Sequence, residues 1–196
     1  TSILHRLRQR NQQIVVLGGP TATNEYEEYI RQNLCHAVIL KEGEARVEYL
    51  FGLLFDHPNH LPTSGIAYPV EEKIRLTSGH SLKLALKGNL VETYDLIPIE
   101  NYHLVGSLSP YSRMAGMEKP FSCFQLNRGC RANCKFCDVS KFMGRGVRSY
   151  PVQEVVKELT YLVEERGIRH FEVLDDDFLG NQLAVKELLG EMASLH

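Results

Sequence analysis

The sequence lacks several features that mark whole classes of protein. It has 196 residues, no tryptophan, only five cysteines, and no run near the ~18 apolar residues that a membrane span requires. An odd number of cysteines in a chain of this length argues against a disulfide framework and favours a reducing, cytoplasmic setting. The net charge of −2 provides no bulk attraction to nucleic acid. Neither a membrane nor a nucleic acid is therefore predicted as a partner.

The chain also lacks an initiator methionine, a secretory leader, internal repeats and low-complexity tracts. We therefore expect a piece of a longer protein. The hydrophobic content of 43% and charged content of 23% are those of an ordinary folded chain. The patterns below divide it into three regions, residues 1–60, 61–119 and 120–196.

The first region alternates between strand-like and helix-like patterns. Residues 14–20, "IVVLGGP", form a short apolar run that ends in Gly-Gly, and residues 36–40, "HAVIL", form a second. Such runs are typical of buried parallel strands. Helices are predicted between them, with a capping box at Asn24 and Glu27, and over residues 45–55. This β-α-β-α order predicts an α/β fold whose ligands bind in the loops after the strands.

The middle region predicts a small β-hairpin and a linker. Short strands are expected at residues 65–69, 73–77 and 82–86, with a hairpin turn at 78–80 between the last two.

From residue 120 the βα order returns. A strand is predicted over residues 121–126 and another over 168–174. Between them, Pro151 begins a helix with apolar residues at i, i+3, i+4 and i+7, and Gly167 ends it. The loop "DDDFLGN" and a final helix follow the second strand.

Three of the five cysteines lie in the loop after the strand at 121–126. Cys130, Cys134 and Cys137 have the spacing C-x3-C-x2-C. A structural zinc ion takes four ligands, and no histidine lies between or close behind these cysteines. A four-iron cluster held by three thiolates has one iron open to another ligand. A zinc clamp and an open iron–sulfur cluster are both possible. Cys35 and Cys123 are predicted to be packed core thiols.

The segment "NRGCRANCKFC" resembles the signature of the radical S-adenosylmethionine (SAM) enzymes, C-x3-C-x-aromatic-C, with Phe136 at the aromatic position. The resemblance implies that the three cysteines hold a 4Fe–4S cluster and that SAM binds the fourth iron. It implies that an electron from the cluster cleaves SAM to methionine and a 5′-deoxyadenosyl radical. It also implies that the backbone beside Phe136 faces the adenine.

The loop "LDDDF" stands where radical SAM barrels carry a Gly-Gly-Glu type of motif that holds the SAM amino group. Here Asp175, Asp176 and Asp177 replace it, and D-D-x-F resembles the subgroup with a cobalamin domain in front of the barrel. A carboxylate at Asp177 could still accept from an ammonium group. Acidic residues also simply favour a helix N-terminus. Arg148 could contact an anionic group of a ligand or lie in a solvated surface loop.

The first region resembles the later part of a cobalamin-binding Rossmann-like domain. Two loops carry the resemblance: the Gly-Gly loop "GGPT" and "KEGE", which is usually G-E-G-E and here begins with Lys41. Small residues allow close approach of a bulky ligand. The resemblance implies that these loops surround the nucleotide tail of the corrinoid. The cofactor-binding residues that it implies are Gly18, Gly19, Pro20, Thr21 and Gly43.

The predicted fold is therefore α/β. It comprises the end of a Rossmann-like cobalamin-binding domain, a small β-hairpin linker region, and the first βα units of a radical SAM partial TIM barrel. The predicted function is reductive cleavage of SAM at a 4Fe–4S cluster, leading to cobalamin-dependent methylation or a related C–C or C–H transformation. A reductant such as flavodoxin or ferredoxin and a small-molecule or peptide substrate are implied. An incomplete barrel would leave this chain alone inactive.

Two alternatives have their own sequence arguments. A methylthiotransferase-like radical SAM enzyme, acting on tRNA or a protein, would have further cysteine ligands in its front domain, where this chain has only Cys35. A non-catalytic scaffold module would use the same cysteine loop to bind zinc or an iron–sulfur cluster.

Overall fold

The structure is a computed structural model and describes residues 2–9, 13–54, 64–78, 86, 91–104 and 119–194. In chain order, the helices and strands of these residues are α1 (Ser2–Gln9), β1 (Val16–Leu17), α2 (Pro20–Asn24), α3 (Tyr26–Arg31), β2 (Ala37–Ile39), α4 (Glu44–Leu54), β3 (Ile66–Val70), β4 (Lys73–Leu76), α5 (Val91–Tyr94), a 3-10 helix (Ile99–Leu104), β5 (Phe121–Phe124), β6 (Asn127–Arg128), α6 (Val139–Phe142), β7 (Arg148–Ser149), α7 (Val152–Glu164), β8 (His170–Val173), a second 3-10 helix (Phe178–Gly180) and α8 (Gln182–Met192).

The chain folds into two compact units. The front unit comprises Thr1–Leu84 with Lys141–Met143, and the second unit comprises Ala85–Ser140 with Gly144–His196. The three predicted regions, with boundaries at residues 60 and 119, stay a prediction. Within the part of the chain that the structure describes, no helix combines the length and apolar character needed to cross a membrane.

The front unit is built on a four-stranded sheet with the order β1-β2-β3-β4. Strands β1 and β2 are parallel, with Val16 opposite Ala37, and both coincide with predicted apolar runs. All three residues of β2 are buried, as expected for a strand covered on both faces. The predicted helix over 45–55 is α4. Cys35 is 1% exposed, which confirms it as a packed core thiol.

The front unit contains a β-hairpin whose two strands coincide with the predicted strands at residues 65–69 and 73–77. Its strands are β3 and β4, joined at Glu71, which has a φ of +53°. The predicted hairpin turn at residues 78–80 lies mostly outside the described residues and stays a prediction. Strand β3 also pairs antiparallel with β2, which makes the hairpin part of the front sheet. Most of the predicted strand at 82–86 lies outside the described residues.

The predicted capping box at Asn24 and Glu27 is wrong. Helix α2 begins directly after Gly19, with Pro20 at its first position, and Asn24 is its last residue. Helix α3 starts after Glu25 without a side-chain cap. Proline is favoured at the first helical position because its fixed φ suits a helix and its missing N–H would be unpaired there. The helix therefore starts five residues earlier than predicted, immediately beyond the glycine loop.

The second unit is a βα arrangement around two parallel strands. Strand β5 pairs with β8 from Phe121 opposite His170 to Phe124 opposite Val173. Helix α7 follows the predicted apolar stripe and begins after Pro151, and Gly167, at a φ of +66°, lies just beyond its end. The core between strand β5 and helices α7 and α8 consists of Phe124, Leu126, Val152, Val155, Leu159, Ala184, Val185 and Leu188. Because β5 and β8 run side by side, the loops at their carboxyl ends are neighbours.

Arg166 binds the segment of residues 94–100, which precedes β5 in the second unit. Its guanidinium donates to the carbonyl oxygens of Tyr94 at 2.6 Å and Ile97 at 3.1 Å, and pairs with the carboxylate of Glu100. This contact lowers the pKa of Glu100. The Tyr94 ring is buried, and its hydroxyl donates to Glu158 of α7.

We predict that Glu158→Gln stabilises the protein at neutral pH. Glu158 is only 8% exposed, and burial raises its pKa. Because that pKa lies above the unfolded value, the unfolded chain gives up the proton first as pH rises, and stability falls. Glutamine still accepts from Tyr94 but carries no charge. We expect the free energy of unfolding to rise on the order of 1 kcal/mol near pH 7. The gain should vanish below about pH 4, where Glu158 is neutral in both the folded and the unfolded protein.

Thermal melts across this pH range measure the effect. The control is Glu164→Gln, which neutralises an exposed glutamate of the same helix and should change the melting temperature little at any pH. A Glu158→Gln protein that is less stable than wild type near pH 7 would contradict the prediction.

Candidate functional site

The cysteine loop rises from a short antiparallel ribbon formed by β6 and β7. In this ribbon Asn127 lies opposite Ser149 and Arg128 opposite Arg148. The ribbon continues into the loop, where the N–H of Gly146 donates to the carbonyl oxygen of Cys130 at 3.1 Å. The loop is therefore closed at its base. Arg148, predicted from sequence to contact a ligand, is half-buried in β7 beside this base.

Gly129, directly before the first cysteine, cannot be another residue without distortion. Its φ is +87°, and an added Cβ would lie 2.4 Å from the carbonyl oxygen of Gly146. L-residues rarely adopt this conformation, and the contact is far below van der Waals distance. The two sides of the loop thus approach each other at a point where only glycine fits.

The three cysteines of the loop are free thiols. Cys134 is exposed, and Cys130 and Cys137 are half-buried. The N–H of Cys137 donates to the carbonyl oxygen of Cys134 at 3.1 Å. Phe136 is 92% exposed, which places the predicted adenine-facing segment at the surface of the loop.

The chemistry of these donors fits an iron–sulfur cluster with one open iron. Three free thiols in one loop match the donor type and leave one iron without a protein ligand. Among the described residues, no group of three or more Cys, His, Asp or Glu side chains is gathered closely enough to hold a metal ion. The fit to an open iron–sulfur cluster therefore rests on the type and number of the thiol donors and not on a preformed site.

The acidic loop after β8 contains Asp175, Asp176 and Asp177. Through Asp175 it holds the start of β6, the strand that leads into the cysteine loop. Its two carboxylate oxygens accept from the backbone N–H groups of Leu126 and Asn127, both at 2.8 Å. Burial raises the pKa of Asp175, and the two backbone donors oppose that rise. Both oxygens of this side chain are therefore used within the protein.

Asp177 holds the cysteine loop itself. Its carboxylate accepts from the Arg131 guanidinium at 2.8 and 3.0 Å and from the Arg131 backbone N–H at 3.2 Å. Hydrogen bonding to Arg131 lowers the pKa of Asp177. The sequence analysis did not single out Arg131. The signal was present: a basic residue directly after the first cysteine, and an acidic cluster at the end of the neighbouring strand.

Asp176 differs from its two neighbours. It makes no hydrogen bond or ion pair with any described residue, and its side chain is exposed at the surface of the loop. Partial burial of its carboxyl raises its pKa. Three identical side chains in sequence therefore have three environments. Asp175 and Asp177 are engaged by the cysteine loop, and Asp176 is open to a ligand.

The two predicted corrinoid loops lie at the carboxyl ends of β1 and β2 in the front unit. Gly19 has a φ of +93° and caps α2. The Thr23 hydroxyl accepts from the backbone N–H of Lys41 at 2.8 Å, which joins the two loops. Lys41 has a φ of +62°, a conformation that favours glycine. Of the predicted residues, Gly18, Pro20 and Thr21 are exposed, and Gly19 and Gly43 are half-buried.

Comparison with known proteins relates the chain to methyltransferases in sequence and to radical SAM enzymes in fold. No protein-family model matches the chain. The chain is 31% identical over 169 residues to an uncharacterized methyltransferase of Pyrococcus horikoshii, covering 86% of this chain and 34% of that protein. It is 30% identical over 179 residues to an uncharacterized methyltransferase of Synechocystis, covering 91% and 27%. The chain thus spans about a third or less of the length of these relatives.

The fold is that of solved radical SAM methyltransferases. The chain superposes on TsrM from Kitasatospora setae, a radical SAM methyltransferase solved with cobalamin and a 4Fe–4S cluster bound, with a TM-score of 0.66. The match covers 97% of this chain and 35% of TsrM, at 16% identity. The predicted α/β fold is confirmed. The chain is therefore similar in sequence to two methyltransferases and similar in fold to cobalamin-dependent radical SAM enzymes.

Proposed function

We propose that this chain is the part of a radical SAM enzyme that binds a 4Fe–4S cluster, SAM and cobalamin. The observation that carries the proposal is the placement of three free thiols beside an acidic loop at the carboxyl ends of two neighbouring parallel strands. Methyl transfer is the proposed outcome, with a related C–C or C–H transformation as the wider class. The names of the two methyltransferase relatives support it.

In this proposal Cys130, Cys134 and Cys137 ligate the cluster. When bound, the cluster supplies the electron for SAM cleavage and an open iron for the amino and carboxylate groups of SAM. The protein's part is to hold the thiols and to orient SAM. Asp175 holds the stem of the cysteine loop, and the Arg131–Asp177 pair holds the loop beyond the first cysteine.

Asp176 is the proposed acceptor for an N–H of the iron-bound amino group of SAM. It lies between two aspartates that the protein already uses, and its own carboxylate has no described partner. Because the acceptor is an ionised carboxylate, this hydrogen bond is charge-assisted and stronger than a neutral one. The backbone beside Phe136 is proposed to face the adenine, and Arg148 to lie near an anionic group of the ligand.

Cobalamin binding is proposed for the loops of the front unit. Gly18, Gly19, Pro20 and Thr21 follow β1, and Gly43 follows β2, as in open α/β sheets that bind ligands at strand ends. The cobalamin-bound state of TsrM, which has the same fold, supports this assignment.

The partners are proposals of the same kind. Because SAM cleavage consumes an electron, a low-potential donor such as flavodoxin or ferredoxin is proposed, together with a small-molecule or peptide substrate. The five cysteines are all free thiols, which supports a reducing, cytoplasmic setting.

The cluster assignment predicts that Cys134→Ser abolishes iron–sulfur binding. Serine keeps the size of the exposed Cys134 side chain but removes a soft thiolate ligand. After anaerobic reconstitution with iron and sulfide, we expect cluster content near background, no 4Fe–4S electron paramagnetic resonance (EPR) signal after reduction, and no 5′-deoxyadenosine. The matched control is Cys123→Ser, a half-buried thiol in β5 that should keep the cluster.

Metal analysis of wild-type protein purified without oxygen decides between the enzyme and the scaffold. Zinc near one per chain without iron and sulfide would favour the scaffold and overturn the proposed function.

The assignment of Asp176 predicts that Asp176→Asn weakens SAM binding about tenfold, because an amide oxygen replaces a carboxylate in a charge-assisted hydrogen bond. Iron content should stay at the wild-type value, since the carboxylate makes no described contact with the loop. Titration of SAM against the cluster EPR signal measures the affinity. Glu187→Gln, an exposed carboxylate of α8, is the control. Unchanged affinity in Asp176→Asn would contradict the assignment.

The corrinoid assignment predicts that Gly18→Leu weakens cobalamin binding about tenfold or more. An added Cβ at Gly18 would meet only ordinary contacts, 3.8 Å from the carbonyl oxygen of Ile39 and 4.0 Å from its Cβ. The fold should therefore accept the first atom of the side chain while the leucine occupies space in the loop. Equilibrium dialysis with hydroxocobalamin measures the effect.

The control for this variant is Gly190→Leu, the same change at an exposed glycine of α8. Wild-type protein that fails to retain hydroxocobalamin, or a Gly18→Leu variant that binds it as wild type does, would contradict the corrinoid assignment.

A further inference from the structure

We propose that Asn127 is a positioning residue. It links β6 and β7, the two strands that flank the cysteine loop, to the acidic loop, and so sets the position of Cys130. The inference deepens the proposed function and rests on it for its catalytic meaning. Asn127 is the first residue of β6, three residues before Cys130. It has 0% exposure, although its side chain is polar.

The backbone N–H and both polar atoms of the Asn127 side chain have hydrogen-bond partners. Its side-chain amide nitrogen donates to the carbonyl oxygen of Phe178 at 2.9 Å. Its side-chain oxygen accepts from the Ser149 hydroxyl at 2.6 Å, and its backbone N–H donates to Asp175. One buried residue thus contacts the returning stem of the cysteine loop and two points of the acidic loop.

The network continues beyond Ser149. The Ser149 hydroxyl also accepts from the side-chain nitrogen of Asn181 at 2.8 Å, and the Asn181 oxygen accepts from the backbone N–H of Ala184 as the N-cap of α8. Hydrogen bonds therefore run from β6 through β7 to the start of α8. Each of these elements adjoins the cysteine loop or the acidic loop.

A network of this kind fixes geometry more than it adds stability. An apolar side chain of similar size would fill the same volume without needing partners, whereas a buried amide is tolerated only when its partners lie in the right directions. The contacts of Asn127 therefore select one arrangement of the two loops. Cys130 directly follows Gly129, whose backbone lies in close contact with Gly146. A shift of β6 would therefore move the Cys130 thiol.

The test uses Asn127→Asp, which keeps the shape and the acceptor for Ser149 but replaces the donor to Phe178 with a second oxygen. Asn133→Asp is the matched control, since it makes the same change at an exposed asparagine within the cysteine loop. Ser149→Ala and Ser149→Thr form a second pair, in which only threonine keeps the hydroxyl. This pair tests the network even if Asn127→Asp folds poorly.

Amide hydrogen exchange of the metal-free protein is the first measurement. Asn127→Asp and Ser149→Ala should raise exchange about tenfold or more at residues 126–130 and 146–149, because hydrogen bonds that protect these amides are lost. Exchange in the core helices α7 and α8 should stay as in wild type. Asn133→Asp and Ser149→Thr should leave both regions unchanged.

The SAM-induced change of the cluster EPR signal is the second measurement. We expect Asn127→Asp and Ser149→Ala to diminish it at equal iron content, and Ser149→Thr to preserve it. Exchange and EPR signals that match wild type in both Asn127→Asp and Ser149→Ala would overturn the proposal, as would a uniform rise in exchange across the second unit. Failure of wild-type protein to bind iron and sulfide would instead refute the proposed function, and the exchange data would still decide the role of Asn127.

Discussion

The parallel pairing of β5 with β8 is the constraint on which the candidate site depends. Four residue pairs, from Phe121 opposite His170 to Phe124 opposite Val173, set the register of the two strands. Because the strands run the same way, the chain leaves both at one edge of the sheet, and the cysteine and acidic loops emerge together. A one-residue slip would turn Phe124 out of the core and move the carboxylates away from the loop they hold.

The acidic loop shows how one residue type can take three roles. Asp175 lies against the strand end and accepts two backbone N–H groups, and Asp177 is engaged by a guanidinium. Three neighbouring carboxylates would repel one another if all of them pointed at one ligand. Their separate partners remove that conflict and leave Asp176 open. Two of the three aspartates of the acidic loop therefore have a structural role in holding the cysteine loop.

In the front unit, hydrogen bonds within the protein likewise hold the loops that follow the strands. The backbone N–H of Lys41, in the loop after β2, donates to the Thr23 hydroxyl of α2, the helix that follows the loop after β1. The buried guanidinium of Arg46 supports the second loop from behind, through the carbonyl oxygens of Glu42 and Ser64. Gly65 has to be small because a Cβ there would lie 2.5 Å from the Arg46 side chain. Both units thus present loops at strand ends that internal hydrogen bonds hold in place.

The sequence by itself determined the elements and the chemistry of this protein. Apolar runs and the stripe after Pro151 specified the main strands and helices, because burial imposes a period on each. The spacing of the three cysteines identified the donor set and the family resemblance. Each of these signals lies within a short stretch of sequence, so it can be recognised without knowledge of the tertiary structure.

The tertiary structure decided which of those residues are engaged within the protein. The partners of Asp175, Asp177 and Asn127 lie about fifty positions or fewer away in sequence, on other elements, and no spacing rule connects them. The pairing of β3 with β2 and the start of α2 at Pro20 were likewise settled by contacts and by competition between caps. Side chains of one type were divided between structure and function by what the fold placed beside each, because hydrogen bonding depends on position in space.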